Sequence, residues 1–343
     1  MVNNRQLLAR LSLVACFLSL GVIGLGAFTR LIDAGLGCPD WPGCYGQMIV
    51  PLTEMARQKA ALHYPGSHLI TYKAWAEMIH RYCVGALSLF MLAIVVLIFS
   101  RRALRVRSNS VLAVLMTLLL VYQIILGQLT VTLKLLPIIV SQHLLGGFFI
   151  LTLLWLVYLN NTSYVVIVDE VKAAKKILPW AVIALVLIVL QIMLGAWTST
   201  NYASLSCPDF PFCSNEYAIS FQFKEAFHFF APVGMNYEGG VLSTTIRQTI
   251  QMSHRLGALI VTMYLFMFVA LARTTLTHDS SFGHLLYLML GLLCIQLCIG
   301  ISNVIFKLPL VTAISHTLIA VLLLLSVVTV VFKLVVMNRR VAV

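Results

Sequence analysis

Charged residues are scarce in this chain. Asp, Glu, Lys and Arg make up 10% of its 343 residues, where a soluble globular domain carries about 25%. Acidic side chains are the rarest, 11 against 23 Lys and Arg. With 61% hydrophobic residues and a mean hydropathy of +0.98, this composition excludes a pair of soluble domains. It points to a polytopic membrane protein, whose length is counted in spans of about 20 residues. The net charge of +12 would suit nucleic acid. The bases sit between apolar runs, however, as topology signals do, so nucleic acid is not an expected partner. No small-residue cleavage site clearly follows the first apolar run, and further spans come after it, which argues against a signal peptide. The paired loop cysteines have five residues between partners, unlike the Cys-x-x-Cys of thiol redox motifs.

What is present is a series of eight apolar runs, near 11–29, 78–99, 111–131, 138–159, 178–198, 248–271, 285–305 and 311–334. Lys and Arg crowd one set of flanks, above all Arg101, Arg102, Arg105 and Arg107, then Lys172, Lys175 and Lys176. On the other side they are spread over two long loops, about 30–77 and 199–247. Short loops with dense positive charge stay in the cytoplasm. Both termini are therefore expected in the cytoplasm, with the long loops outside. Both cysteine pairs fall in those loops, where disulfides persist. Cys16, Cys83, Cys294 and Cys298 fall inside apolar runs and read as small hydrophobic residues.

The chain also repeats itself. Cys38-Pro39-Asp40-Trp41-Pro42-Gly43-Cys44 returns as Cys207-Pro208-Asp209-Phe210-Pro211-Phe212-Cys213, a shift of 169 residues. His80-Arg81 returns as His254-Arg255, a shift of 174, and His143 as His316, a shift of 173. Gln123-Ile-Ile-Leu-Gly127 matches Gln296-Leu-Cys-Ile-Gly300, and Lys134 and Lys307 each stand nine residues before a histidine. Four spans per half is an even number, so both copies have one orientation. The expected fold is an all-α integral membrane protein of eight transmembrane helices, built as two parallel-repeat four-helix bundles, 1–165 and 166–343.

Intramembrane histidines are costly and are functional suspects by default. All four lie near the outer ends of even-numbered spans, at similar depth. Two imidazoles from two helices at one level suit the axial positions of a haem iron. The plain alternative is histidines hydrogen-bonded across the bundle. Arg81, Arg255, Lys134 and Lys307 would meet porphyrin carboxylates at the rim, or simply snorkel. Glu77 breaks the repeat: it stands three residues before His80, where the second copy has Gln251. A carboxylate there can accept a proton or stabilise a developing cation. It would otherwise be a first-turn residue answering the helix dipole. The first half would then do chemistry and the second hold a cofactor. Cys207–Cys213 reads as a staple, and Cys38–Cys44 as a staple or a redox pair. His63, His68, His228, His278 and His284 show no repeat symmetry and receive no role.

Taken together, Glu77-Met78-Ile79-His80-Arg81, Gln142-His143, Ser253-His254-Arg255 and Ser315-His316, with Cys38/Cys44 and Cys207/Cys213 in the outer loops, resemble the haem A synthase family over nearly the whole chain. The resemblance implies oxidation of the methyl group of haem O to a formyl group, giving the haem A of terminal cytochrome oxidases, in a cell inner membrane. It implies a haem b cofactor on His254 and His316, and the substrate haem on His80 and His143 with Glu77 as catalytic carboxylate. Cys38 and Cys44 match the family's outer-loop pair. Haem O synthase and an electron-transfer partner are implied by the pathway, and a homo-oligomer is allowed. In residues 214–247 the resemblance gives nothing to carry over. The rival readings are a dihaem b-type membrane cytochrome, a quinone-linked membrane disulfide oxidoreductase and a parallel-repeat transporter.

Overall fold

The computed structural model describes residues 4–162, 171–213, 221–276 and 280–339. His278 lies outside them, as does part of 214–247. Among the described residues there are ten helices and no strand: α1 Asn4–Leu31, α2 Glu54–His63, α3 Thr71–Ser100, α4 Arg107–Thr132, α5 Pro137–Asn160, α6 Val171–Thr200, α7 Phe223–Ala226, α8 Thr244–Thr275, α9 Ser280–Ile305 and α10 Leu310–Arg339. Eight of them are long and apolar enough to cross a membrane. The short α2 and α7 belong to the two long loops and carry no sequence signal that announced them.

The spans outrun the apolar runs that mark them. α3 begins at Thr71 and α8 at Thr244, both well before their apolar runs. A helix satisfies its own backbone groups wherever it runs, so the polar residues at a membrane boundary stay helical. This corrects one expectation. Glu77 lies about two turns inside α3 and is buried, so it is not a first-turn residue answering the helix dipole.

Four helices end in the same way. Ala34 N–H reaches Thr29 O at 2.8 Å after α1, and Leu135 N–H reaches Thr130 O at 2.8 Å after α4. Ala203 N–H reaches Thr198 O at 2.9 Å at the end of α6, and Leu308 N–H reaches Asn303 O at 2.7 Å after α9. The preceding residue is left-handed each time: Asp33 (φ 51°), Lys134 (φ 48°), Tyr202 (φ 54°) and Lys307 (φ 56°). This is the Schellman closure, made here without glycine. Lys134 and Lys307 are therefore fixed by the turn itself. The turns at Lys134 and Lys307 send the chain directly into the next helix, which sets the height of His143 in α5 and of His316 in α10.

The described residues fall into two compact units. The first holds α1 to α5 with Thr200–Tyr202 and Phe227–Leu242, and the second holds α6 to α10. In the first, α1 packs on α3 and α5, and α4 packs on the same two. The four spans thus close on themselves, with α3 and α5 at opposite corners. The loop from α1 to α3 folds a small core from Cys38, Cys44, Tyr45, Val50, Ala60, Ala74 and Met78. Tyr45 meets Tyr64 edge-to-face at 5.5 Å. Tyr237 covers the α4–α5 turn, donating its N–H to Lys134 O at 3.1 Å and clustering with Leu135 and Leu136. In the second unit, α9 lies along α10 and against α8, and α7 packs on α8.

Candidate functional site

His80 projects from α3 and His143 from α5, the opposite corners of the first unit. The two rings are within electrostatic range of each other. In the second unit His254 on α8 and His316 on α10 form an equivalent pair. Nδ1 of His80, His143 and His316 is buried with no hydrogen-bond partner. An isolated buried nitrogen of this kind is a cost unless a ligand answers it.

Each ring rests against a glycine of the preceding span. A Cβ added at Gly26 would stand 3.1 Å from His80 Cε1, at Gly127 3.5 Å from His143 Cε1, at Gly195 3.1 Å from His254 Cε1, and at Gly300 3.0 Å from His316 Cε1. The four glycines let neighbouring helices approach closely enough to seat an imidazole edge-on. The sequence held this signal in Gln123–Gly127 and Gln296–Gly300, and in a third copy, Gln191-Ile-Met-Leu-Gly195, which the repeat comparison passed over. The graded distances give a test. Gly300→Ala and Gly195→Ala should each lower stability by about 1–3 kcal/mol through overpacking, while Gly127→Ala, at ordinary contact distance, should be tolerated. Thermal unfolding in detergent separates them, and equal effects would remove the seat from the account.

Two of the three glutamines of these motifs reach a histidine. Gln191 Nε2 lies 3.0 Å from His254 Nδ1 and donates to His254 O at 3.0 Å. Gln296 Nε2 lies 3.2 Å from His316 Nε2. Gln123 Nε2 is buried without a partner beside Gly146.

Glu77 is 5% exposed. Its Oε1 accepts from Arg81 Nη2 at 2.5 Å and its Oε2 from the Cys38 N–H at 2.8 Å. Gln251 at the matched place is equally buried, but its Oε1 has no partner. Arg81 Nη1 donates to the carbonyls of Asp40 (3.0 Å), Pro42 (3.2 Å) and Gly43. Arg255 does the same in the second unit, with Nη1 on Asp209 O (2.7 Å) and Pro211 O (3.0 Å) and Nη2 on Cys207 O (2.8 Å). Both guanidiniums thus clamp a cysteine loop over the N-terminal part of their own helix. Sequence reasoning saw the arginines and missed this use, because main-chain carbonyls carry no signature.

Cys38–Cys44 and Cys207–Cys213 are both disulfides. Cys16, Cys83, Cys294 and Cys298 are free. Inside the first loop the Asp40 carboxylate accepts from the N–H groups of Tyr45 (2.6 Å) and Gly46 (2.8 Å), and the Tyr45 hydroxyl pairs with Ser67 Oγ at 2.9 Å. Burial raises the Tyr45 phenol above its ordinary range, so it stays neutral and structural at neutral pH. Among the described residues no cluster of three or more His, Cys, Asp or Glu side chains could hold a bare metal ion. The histidines come in pairs.

Residues 9–328 match the family model COX15-CtaA, described as cytochrome oxidase assembly protein. A protein named heme A synthase from Shewanella oneidensis is 40% identical over 323 residues, covering 94% of this chain and 94% of that one. Proteins of the same name from Bacillus pumilus and Rickettsia akari are 24% and 25% identical, covering 90% and 94% of this chain and 88% and 96% of their own. The eight apolar helices and the relatives together make this a multi-pass membrane protein. The chain belongs to the COX15-CtaA family of cytochrome oxidase assembly proteins.

Proposed function

We propose that this chain is a haem A synthase, an oxidoreductase that converts the methyl group of haem O to a formyl group and so supplies haem A to a terminal cytochrome oxidase. The observation that carries the reading is one asymmetry in an otherwise matched pair of sites. Glu77 stands beside His80, and the neutral Gln251 stands beside His254. The relatives named for this activity match along nearly their whole length.

The residues fit haem. Each unit brings two imidazoles together, His80 with His143 and His254 with His316, and such a pair would suit an iron held in a porphyrin, whose macrocycle supplies the other ligands. His254 and His316 would hold a resident haem b, and His80 and His143 would hold the substrate, haem O. Bound iron supplies the electron chemistry. The chain supplies orientation and charge. Glu77 and His80 share one face of α3, so the carboxylate lies beside the substrate pocket, where it can take a proton or stabilise positive charge at the carbon being oxidised. Arg81 and the Cys38 N–H hold that carboxylate in place. Both termini would face the cytoplasm and the cysteine loops the outer side, toward an electron-transfer partner. Haem O synthase is the expected supplier of substrate.

Because Cys38 N–H is bonded to Glu77, the first disulfide has a route to the chemistry that the second lacks. Cys38→Ser and Cys207→Ser should each lose about 2 kcal/mol of stability, the value for a short closed loop. Cys38→Ser should also lower turnover. Equal turnover in the two variants would leave both disulfides as staples.

A dihaem b-type cytochrome would share the paired histidines and their glycine seats. It predicts two equivalent sites, and Glu77 against Gln251 speaks against that. The direct test is expression beside a source of haem O in cells lacking their own synthase. Haem A should appear in the membranes. Accumulated haem O with no haem A would overturn the proposal.

A further inference from the structure

The two sites differ in a second place. Gln191 stands on α6 four residues before Gly195, the seat of His254. The matching position on α1, four residues before Gly26, is Val22. Gln191 holds His254 at two points, ring Nδ1 and main-chain oxygen, both at 3.0 Å. Room for the amide is made by Gly257, one turn beyond His254, where an added Cβ would collide with Gln191 Oε1. The corresponding residue beyond His80 is Cys83. Val22 has no polar side-chain atom and brings only a main-chain carbonyl near the ring of His80, and His80 Nδ1 is buried without a partner.

A metal-bound histidine normally gives its second ring nitrogen to an outer acceptor, which fixes the ring and strengthens the ligand. With Nδ1 engaged by Gln191, Nε2 is the nitrogen left for a metal. Once Nε2 is bound, Nδ1 carries the proton. Gln191 Oε1, buried and unpartnered, can then present itself by a half-turn of the soft terminal amide torsion. His80 has no such side chain. The difference suits one site that must keep its haem and another that must release it after each turnover.

We propose that Gln191 is a positioning residue that locks His254 as a permanent axial ligand, and that Val22 in its place leaves His80 a ligand that can let go. The proposal deepens the assignment of the resident haem to the second unit and rests on it.

The test uses the full-length protein purified in detergent with its haem. Gln191→Val copies the first unit into the second. It should speed transfer of the resident haem to excess apomyoglobin by about 10- to 100-fold, the usual penalty for losing an outer-shell partner. It should also shift the midpoint potential of that haem upward. Gln191→Glu keeps an acceptor of the same shape and should retain the haem with a potential shifted downward, an effect that a merely structural glutamine would not produce. Val22→Gln should slow release of the haem bound in the first unit. Unchanged transfer rate and potential in both Gln191 variants would overturn the proposal. His254→Ala separates the two layers: if it sheds the resident haem while the Gln191 variants behave as wild type, the role of Gln191 fails and the site assignment stands. If His254→Ala keeps that haem, the assignment itself fails and the proposal with it.

Discussion

His254→Ala should purify without its resident haem. The ring is paired with His316 as the proposed holder of that haem, is seated against Gly195 and is gripped by Gln191. Loss of an outer-shell partner alone weakens metal binding by about 10- to 100-fold, and loss of the ligand itself should exceed that. Alanine removes the imidazole and leaves a cavity beside Gly195. Haem per chain, read from the reduced-minus-oxidised spectrum of purified protein, should fall close to zero for the b-type signal. His80→Ala should leave that signal intact, because its ring belongs to the other unit. Equal loss of the resident haem in both variants would dissolve the division of labour.

The second large effect is at Glu77. Glu77→Gln should keep the resident haem and lower the rate of haem A formation by about 100- to 1,000-fold, the range for removing a preorganised charge from a buried site. Glutamine has the size of glutamate and retains an oxygen to accept the Cys38 N–H, so the loop above it should stay folded. The residue it imitates is already at Gln251. Glu77→Ala should lose as much activity and also release both Arg81 and the Cys38 loop, which adds a loss of stability. A rate within a few-fold of wild type in Glu77→Gln would remove the carboxylate from the chemistry. The pair of variants separates charge from loop anchoring.

The spans, the two cysteine loops and the four histidines were legible because each leaves a mark in composition or spacing. Twenty apolar residues in a row have few alternatives, and a histidine in such a run stands out. What escaped notice is main-chain business. The Schellman turns at Asp33, Lys134, Tyr202 and Lys307 are made without glycine, so no glycine signalled them. The carbonyls that Arg81 and Arg255 clamp have no letter in the sequence. Gly26, Gly127, Gly195 and Gly300 were visible as letters, but their meaning lies in the approach of a second helix. Helix ends ran past the apolar boundary, which moved Glu77 from a first turn to a buried site. In each case the missing information is a contact between segments far apart in sequence, or a backbone angle set by such a contact.

The most direct measurement is the identity of the haems that the protein carries. The chain would be expressed in cells that make haem O, purified, and its haems extracted and separated by chromatography. The account predicts haem b together with haem O, haem A or a hydroxylated intermediate between them, with His254→Ala removing only the haem b. Haem b alone, at two per chain and halved equally by His80→Ala and His254→Ala, would contradict it and identify an electron-transfer cytochrome instead.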